Sequence, residues 1–203
     1  MSYIRSIIIY GIVFLAPIHT LWAQWSVDEE EEGCIRYKGP EKENTIPIKV
    51  VCTWSLKPVD IQKILSLPED FETCFSRVKA SYLLKNLTKS SSLKRVYQIH
   101  DGSPASDRAI YLDYIQSTSK NKWMMAFKKS PSQEVKSIDK KWVAVKVHQG
   151  KWTVEPHSKG VRVTLQSIYD PGGSVPSFLV RWFMGTGVQK MMDELHTCAR
   201  KAS

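Results

Sequence analysis

The side chains that could perform chemistry are few and scattered in this 203-residue sequence. Beyond the N-terminal region, no two of the histidines His100, His148, His157 and His196 have the spacing of a metal site or a catalytic triad. His100 stands beside Asp101 at the end of a predicted strand, where it could reach a cavity mouth, although a lone histidine there is more often structural. The Gly-x-Ser-x-Gly, His-Glu-x-x-His, phosphate-loop and dinucleotide motifs are also missing from the sequence. We therefore predict no catalytic residue, no metal site and no cofactor.

A different chemistry is offered by four cysteines: Cys34, Cys52, Cys74 and Cys198. Because none forms a C-x-x-C pair, zinc binding is not predicted. In an exported chain they allow two disulfides with three connectivities. Cys34 and Cys52 flank a predicted hairpin centred near Glu43, which favours a Cys34–Cys52 bridge and leaves Cys74 for Cys198. Cys34 alternates with basic residues and Cys52 with apolar ones, which argues against that pairing, and buried free thiols are the alternative.

The N-terminus has the layout of a secretory signal peptide over residues 1–23. Arg5 precedes an apolar stretch from Ile7 to Pro17, and Ala23 offers a small residue for cleavage. An uncleaved membrane anchor is the alternative, but the apolar stretch is short for a spanning helix. We expect residues 24–203 to form one exported domain, in the periplasm or cell envelope of a bacterium or otherwise secreted.

The composition, 42% hydrophobic and 24% charged, suits a single globular domain. A formal net charge of +9 favours anionic membrane surfaces or acidic partners. The basic residues are spread along the chain and lie in no recognisable nucleic-acid-binding module, so no nucleic-acid partner is predicted. The acidic run at residues 28–32 is interpreted as a solvated lead-in to the domain.

The elements that must position any site are mostly strands. The segments "GCIRYKGP" and "IPIKVVCTW" predict a hairpin, and "KPVDIQKILSLPEDFETCFS" predicts two short helices separated at Pro68. Seven strand-like segments with short connections follow between residues 78 and 169, which predicts an antiparallel meander. With a final helix, the fold class is α+β.

Two of these strands carry faces that could wall a site. One face holds Trp123, Met125 and Phe127, and the other consists of Arg108, Ile110, Leu112 and Tyr114. A buried arginine needs a partner or a ligand, because burying its charge alone is costly. The alternative is that Arg108 lies at the open end of its strand and reaches solvent.

The last element is a predicted amphipathic helix of about 25 residues. It follows the reversal "DPGG", with Ser174 as its cap and Pro176 in its first turn. Its apolar residues are Phe178, Leu179, Trp182, Phe183, Met184, Val188, Met191, Met192, Leu195 and Ala199. Gly185 and Gly187 each cost roughly 1 kcal/mol in helix propensity, which suggests a close approach or a bend. An ordinary core helix is the alternative to a helix that closes a cavity.

These residues together resemble the StAR-related lipid transfer (START) domain, a helix-grip member of the SRPBCC class. The resemblance covers about Trp25 to Lys201, and "DPGGSVPSFLV" is its most specific motif. "GKWTVEPHSKGVRV" and "SPASDRA" add support. Two features depart from the family: Ala109 follows Arg108 where the family has an aspartate, and "ETCFSRV" lacks the tryptophan often found after the small helices.

The resemblance implies a curved antiparallel sheet wrapped around the C-terminal helix, with an apolar cavity for one ligand. It implies that the cavity wall contains Arg108, Ile110, Leu112, Tyr114, Trp123, Met125, Phe127, Phe178, Trp182, Phe183, Met184 and Val188. Arg108 matches an arginine that lies within the cavity of some relatives and could meet a polar headgroup. The loop "SPSQEVKSIDKK" would form a gate with the helix.

The resemblance further implies a monomeric carrier of a lipid or sterol-like ligand, or a ligand sensor, without covalent chemistry. A basic rim would make transient contact with anionic membranes; its lysines are Lys120, Lys122, Lys128, Lys129, Lys136, Lys140 and Lys141. For any single lysine a solvated surface position is the alternative. The alternative function is a small-molecule enzyme of the same superfamily, similar to the aromatase/cyclases.

Overall fold

The fold contains a large sheet, two short helices between its third and fourth strands, and a long helical C-terminus. The structure is a computed structural model that describes residues 25–31, 33–41, 45, 47–84, 93–131 and 138–202, without the side chains of residues 177, 179, 182 and 183. The strands are β1 (Ser26–Glu31), β2 (Cys34–Lys38), β3 (Ile48–Trp54), β4 (Val78–Leu83), β5 (Leu93–His100), β6 (Arg108–Ser119), β7 (Lys122–Lys129), β8 (Val143–Ala144), β9 (Val147–His157) and β10 (Gly160–Asp170). The helices are α1 (Pro58–Leu65), a 3₁₀ helix (Pro68–Thr73), α2 (Ser177–Trp182), a π-helical turn (Phe183–Gly187) and α3 (Val188–Ala202).

The sheet is antiparallel and curved, with the strand order β1-β2-β3-β10-β9-β7-β6-β5-β4. Strand β3 lies beside β10, so the first strands of the chain join the last ones, and the sheet stays open between β1 and β4. The two-residue strand β8 is the exception to the antiparallel order, because it pairs in parallel with β6. The predicted α+β architecture, a curved antiparallel sheet with a long C-terminal helix, is confirmed.

The core lies between the concave face of the sheet and the C-terminal helix. Alternate residues of the strands point inward, as the two-residue period requires; Val50, Cys52, Trp123, Met125, Val161, Val163 and Leu165 are all buried. From α3 the core receives Val188, Met192, Leu195 and Ala199 at three-to-four spacing. Each such side chain of leucine size contributes about 1.5–3 kcal/mol on full burial.

Two disulfides are present, and both are the favoured pairings. Cys34 and Cys52 stand directly opposite each other in the β2–β3 register with Cα atoms 4.0 Å apart. Cys74, just after the 3₁₀ helix, is joined to Cys198 of α3 across 124 residues of sequence. Opposed residues share a face, so the alternation of Cys34 with basic residues is no obstacle: Arg36 on that face is held by an ion pair with Asp28 at 2.6 Å.

The acidic run after the predicted cleavage point is largely solvent-exposed, as predicted, but it is a strand of the sheet and not a lead-in to the domain. Residues 26–31 form the edge strand β1 against β2. The side chain of Asp28 binds both Arg36 and Lys38 of that neighbour. Burial acts to raise the pKa of Asp28, but hydrogen bonds from Lys38 and Arg36 outweigh it and the pKa is lowered. Cross-strand charge pairing thus stabilises a strand of poor intrinsic propensity.

Other departures from the predicted elements are small. The second short helix is a 3₁₀ helix, and "WVAVKV" divides into β8 and the first residue of β9. The C-terminal helix begins at Ser177, three residues beyond Ser174, so the predicted cap at Ser174 is wrong. The predicted signal peptide, residues 1–23, lies outside the described residues.

Candidate ligand-binding cavity

A cavity of about 130 Å³ lies between the concave face of the sheet and the beginning of the C-terminal helix. Apolar side chains form most of its wall: Phe71, Phe75, Val78, Phe127, Trp152, Leu165, Met184, Val188 and Met191. Polar groups are confined to a few positions of the wall: Arg77, Gln98, His100, Asp101, His148, Ser167 and Tyr169. An apolar wall with a small number of polar groups is the usual composition of a small-molecule site.

The helical side of the cavity includes the π-helical turn. Gly185 and Gly187 lie in this turn, and Gly187 lines the cavity. A Cβ at Gly187 would have no atom within 4 Å, and at Gly185 the nearest would be an Arg36 nitrogen at 3.8 Å. No described residue therefore requires these glycines by close approach. Of the two explanations that the sequence suggests, a departure from α-helical geometry is the one seen, and such turns are frequent at functional sites.

The turn before the helix depends on two glycines. Gly172 and Gly173 have φ values of +68° and +66°, a conformation that side chains disfavour. A Cβ at Gly172 would stand 2.4 Å from the carbonyl oxygen of Ala144. The Asp170 carboxylate accepts a hydrogen bond from the Gly172 N–H at 2.9 Å. This turn sends the chain from the end of β10 back across the open face of the sheet, where the helix covers the cavity.

Two histidines and a tyrosine meet at one end of the cavity. The rings of His100 and His148 are 5.6 Å apart, and the ring of Tyr169 is 5.0 Å from that of His148. His100 ends β5 and His148 lies near the start of β9, with β6 and β7 between them in the sheet. Three strand spacings amount to about 14 Å in a flat sheet. The curvature of the sheet therefore makes the inward-pointing rings converge.

The tautomer of His100 is fixed by its neighbour Gln98. The Gln98 amide nitrogen donates to the carbonyl oxygen of Pro68 at 3.3 Å and to the Ser81 hydroxyl at 3.0 Å. The Gln98 amide oxygen then faces the Tyr114 hydroxyl and His100 Nε2, each at 3.2 Å. Because that oxygen only accepts, Nε2 of His100 must carry the proton. Nδ1 of His100 is left as a hydrogen-bond acceptor.

Both histidines are held neutral. They keep some accessible surface because they line the cavity, yet protein atoms surround them. Burial lowers the pKa of His100 to about 4. Burial, and then the nearby His100, lower the pKa of His148 well below its usual value. Burial raises the pKa of Tyr169, against an opposing effect of Arg108. His100, His148 and Tyr169 are therefore uncharged hydrogen-bonding groups at neutral pH.

An ion pair stands at the same end of the cavity. Arg77 Nη1 lies 2.7 Å from an Asp101 carboxylate oxygen, and Lys79 lies 3.3 Å from the other oxygen. Burial would raise the pKa of Asp101, but hydrogen bonds from Ser103 and Lys79 and the charge of Arg77 lower it. Both cavity-lining members of the pair keep some exposure. Their charges compensate each other, so the pair leaves no net charge facing the cavity.

The structure brings only part of the predicted wall to this cavity. Phe127, Met184 and Val188 line it. The other strand residues predicted for the wall are buried in the core outside its lining: Ile110, Leu112, Tyr114, Trp123 and Met125. Phe178 is 64% exposed, and the side chains of Trp182 and Phe183 lie outside the described residues. Contact of any of these residues with a ligand stays a prediction.

Arg108 does not reach solvent, because it is only 5% exposed. Its Nη1 donates to the Ser106 carbonyl oxygen, while its Nε is buried without a hydrogen-bond partner among the described residues. Arg108 is not part of the cavity lining, although it is close enough to Tyr169 to affect that pKa. Of the two sequence-based alternatives, the structure favours the buried arginine.

The predicted basic rim is divided among several places. Lys128 is exposed near the end of β7, but the Lys129 amine donates to the Val145 carbonyl oxygen at 2.7 Å. Lys140 is exposed, and Lys141 lies 3.6 Å from Asp139. Lys120 and Lys122 lie at the opposite end of β7, and Lys136 falls outside the described residues.

His148 and Tyr169 are among the polar residues of the cavity that the sequence did not single out as a site. The two-residue period carries the missed signal, since Leu165, Ser167 and Tyr169 share one face of β10 and all line the cavity. Tyr169 is also the register partner of His148. Their meeting with His100 depends on the curvature of the sheet, for which the sequence has no local signal.

The described residues also bear on metal binding, on membrane-spanning helices and on acid–base catalysis. Within that part of the chain, no group of three His, Cys, Asp or Glu side chains is placed to hold a metal ion. None of the described helices has the length and apolarity needed to cross a bilayer. With a pKa of about 4, His100 is poorly matched to acid–base catalysis at neutral pH.

Comparison with solved structures supports the fold. The StAR-related lipid transfer protein from Xanthomonas axonopodis matches with a TM-score of 0.76 and 22% identity, over 87% of this chain and 98% of that chain. Human STARD10 matches with a TM-score of 0.76 and 14% identity, over 87% and 73% of the two chains. The Zhui aromatase/cyclase from Streptomyces sp. R1128 matches with a TM-score of 0.55 and 9% identity, over 78% and 93%.

No protein-family model matches the sequence, and no curated protein is similar to it at a significant level. The identities to the solved structures are low, so the likeness concerns the backbone architecture. The chain therefore has the helix-grip fold of StAR-related lipid transfer domains.

Proposed function

We propose that this protein binds one apolar ligand, such as a lipid, in the cavity beneath its C-terminal helix and acts as a carrier or sensor. The observation that carries the proposal is the cavity itself, an apolar chamber between helix and sheet with few polar groups. An apolar ligand gains about 25 cal/mol per Å² of surface removed from water. Binding therefore requires no covalent step, no metal and no cofactor, and one monomer suffices.

The size of the cavity restricts how a ligand enters. Its volume of about 130 Å³ is below the roughly 300–1,000 Å³ of typical ligand pockets. It is close to that of an engineered cavity of about 150 Å³ that binds benzene. A long-chain lipid must therefore displace part of the wall, and the segment Ser177–Gly187 is the part with a π-helical turn and an exposed Phe178. We expect this segment to move away from the sheet on loading.

Export of the protein is part of the proposal. The signal-like residues 1–23 motivate it, and the two disulfides support it, because disulfides persist mainly in oxidising compartments. The domain would then act in the periplasm or cell envelope of a bacterium, or outside the cell. Loading at an anionic membrane is consistent with the net charge of +9.

The membrane contact can be tested at the exposed lysines. Lys128, Lys140 and Lys141 are exposed, and each charge near an anionic surface contributes about 1 kcal/mol. Charge reversal of all three should weaken binding to vesicles that contain anionic phospholipid. Unchanged binding of the triple variant would end this part of the proposal.

The alternative is a small-molecule enzyme of the same fold, and the paired histidines are the observation in its favour. Their lowered pKa values disfavour it, because a base with a pKa of about 4 is largely ineffective at neutral pH. A ligand recovered chemically unchanged after prolonged incubation would support the carrier or sensor. A time-dependent change in the mass of the ligand would support the enzyme.

The first experiment is native mass spectrometry of the protein purified from its own host compartment, followed by organic extraction. A stoichiometric apolar adduct is expected, and its mass would identify the class of ligand. A protein that carries nothing, and that also takes up no fluorescent phospholipid, fatty acid or sterol, would contradict the proposed function.

A further inference from the structure

We propose that His100 and His148 form a polar subsite that binds a neutral, hydrogen-bond-donating group of the ligand, such as a hydroxyl. This inference rests on the proposed ligand-binding function and gives it a chemical class. The ligand would be an apolar molecule with an uncharged alcohol-type group, which distinguishes it from a fatty acid or a phosphate-bearing lipid. The alcohol would lie at the end of the cavity where both rings form the wall, and the hydrocarbon would lie along the apolar wall.

The first support is the direction of the hydrogen bonds at His100. Its Nε2 proton is committed to the Gln98 oxygen, so Nδ1 presents a lone pair. Gln98 cannot reverse this arrangement, because its amide nitrogen faces the Pro68 carbonyl oxygen, which only accepts. A lone pair attracts a donor and repels an oxyanion. A hydroxyl can donate to Nδ1, whereas an ionised carboxylate has no proton to donate.

The second support is an unpaired polar atom. Nδ1 of His148 is buried and has no hydrogen-bond partner among the described residues. The rings of Phe127 and Tyr169 meet this ring in edge-to-face arrangements, each with centroids 5.0 Å apart, so its surroundings are largely aromatic. An unsatisfied buried polar atom costs free energy that a structural role would avoid. A ligand hydroxyl both donates and accepts, so one that reaches this end of the cavity can pair with His100 and, once the wall moves to admit the ligand, with the buried Nδ1 of His148.

The third support is the absence of a free counter-charge in the described wall. Among the described residues that line the cavity, Arg77 is the only cationic side chain, and its Nη1 lies 2.7 Å from a carboxylate oxygen of Asp101. Burial keeps both imidazoles neutral. Arg108, which lies near Tyr169 but outside the lining, is the reason to test an anionic ligand directly.

The test uses four probes with matched chains: octanol, its methyl ether, octanoate and octane, each titrated at neutral pH. The ether keeps the oxygen acceptor but has no proton to donate. We expect octanol to bind roughly tenfold more tightly than the ether, about the value of one hydrogen bond, and octanoate to bind most weakly. Imidazole nitrogen NMR should show octanol shifting the Nδ1 signals of His100 and His148.

The variant is His148→Phe, which keeps an aromatic ring between Phe127 and Tyr169 and removes the nitrogens. It should weaken the binding of octanol relative to that of octane, because one of the two hydrogen-bonding partners of the hydroxyl is gone while Nδ1 of His100 remains. It should also raise the melting temperature of the protein without probe, because an unsatisfied polar atom is gone. The matched control is His196→Phe, which replaces a ring that stacks on Trp54 at 4.9 Å, outside the cavity.

Several results would overturn the inference. Octanoate binding more tightly than octanol, with the gain lost in Arg108→Gln, would make this an anion site. Equal loss of octanol and octane binding in His148→Phe, with a lower melting temperature, would make His148 a packing residue only. In both cases the proposed function survives. If none of the four probes binds, octane included, the proposed function and the inference fail together.

Discussion

The two halves of the C-terminal helix are held very differently. The second half, α3, is joined to the rest of the domain by the Cys74–Cys198 disulfide and by Glu194, which accepts hydrogen bonds from Ser76. The first half, Ser177–Gly187, contains the π-helical turn, whose Met184 and Gly187 line the cavity beside Val188 and Met191 of α3. The helix is thus held at its far end, and we expect its first half to be able to move without unfolding of the domain.

The sequence of each half explains the contrast. The α3 segment has a continuous apolar stripe and no glycine or proline, so helix propensity and packing agree. The first half has two glycines, Gly185 and Gly187, in its π-helical turn, and its Phe178 is exposed. Glycines lower the propensity of the segment, and an exposed aromatic contributes little to its burial. Predictions that separate the two halves therefore test the proposed mode of ligand entry.

The largest effect is expected from removal of the long-range disulfide. In the variant Cys74→Ser with Cys198→Ser, the unfolded chain regains the freedom of a loop that spans 124 residues. The chain-entropy relation gives a loss of about 4–5 kcal/mol in the free energy of unfolding. Urea denaturation measures this loss. Hydrogen exchange should show that α3 loses its protection relative to the central strands.

The matched comparison is removal of the Cys34–Cys52 disulfide, which closes 18 residues. The same relation makes this loss about 1.7 kcal/mol smaller than that of the long-range bridge. Equal losses, or a protected α3 after removal of the Cys74–Cys198 bridge, would show that the disulfide is not what anchors the second half.

The next largest effect is expected from acid, which should lower the free energy of unfolding through the two histidines of the cavity. The folded pKa of His100 is about 4, below the usual value of 6.5, so the folded state binds this proton less readily than the unfolded state. The stability that this creates is present above pH 6.5 and is lost as the pH falls towards 4. His100 alone should lower the free energy of unfolding by about 3 kcal/mol between pH 7 and pH 4, and His148 adds in the same direction.

The groups that face this pair are Arg77, Asp101 and Tyr169 in the cavity and Arg108 behind it. Asp101 has a lowered pKa, so its contribution is lost only at lower pH than that of the histidines. The double variant His100→Phe with His148→Phe should therefore flatten the dependence of the free energy of unfolding on pH between pH 6.5 and 4. His157→Gln, at the end of β9 and outside the cavity lining, is the control. An unchanged slope in the double variant would contradict the neutral-histidine assignment.

Much of the framework could be predicted from the sequence, because it depends on local signals. The two-residue alternation in "IPIKVVCTW" predicts β3 and its buried face, and the opposition of Cys34 to Cys52 follows from a hairpin. The reversal "DPGG" marks the start of the final helix. Each of these features is determined by residues close together in the chain.

The rest could not be predicted, because it depends on the assembled sheet. Strand β1 has four acidic residues and gains its stability from Arg36 and Lys38 of the neighbouring strand. His100 and His148 belong to strands separated by two others, and only curvature brings their rings to 5.6 Å. The residues predicted for the cavity wall do lie on the inward faces of their strands. The cavity is lined only by those near one end of the strands, such as Phe127.

A smaller effect should follow from Glu194, the second anchor of α3. Its carboxylate accepts hydrogen bonds from the Ser76 hydroxyl at 2.5 Å and from the Ser76 N–H at 3.1 Å. Glu194→Ala should lower the free energy of unfolding by about 1 kcal/mol, the usual value for hydrogen bonds at an exposed site. Gln189→Ala on the same helix, which removes only a contact with Asp193 at 3.2 Å, is the control. Similar losses of unfolding free energy in the two variants would show that Glu194 does not help to hold α3 to the rest of the domain.

The smallest effect on stability is expected from Gly185 and Gly187, the two glycines in the first half of the helix. Substitutions there also test most directly whether this half contacts the ligand. Gly185→Ala and Gly187→Ala should each raise the free energy of unfolding by up to about 1 kcal/mol, because both restore helix propensity and neither Cβ meets an atom closer than 3.8 Å. Only Gly187 lines the cavity, so Gly187→Leu should reduce ligand binding while Gly185→Ala leaves it unchanged. Titration with a fluorescent fatty acid or sterol measures the binding. Full binding by Gly187→Leu would show that the ligand does not occupy the space beneath the π-helical turn. This result would contradict the proposed role of Ser177–Gly187 in ligand binding.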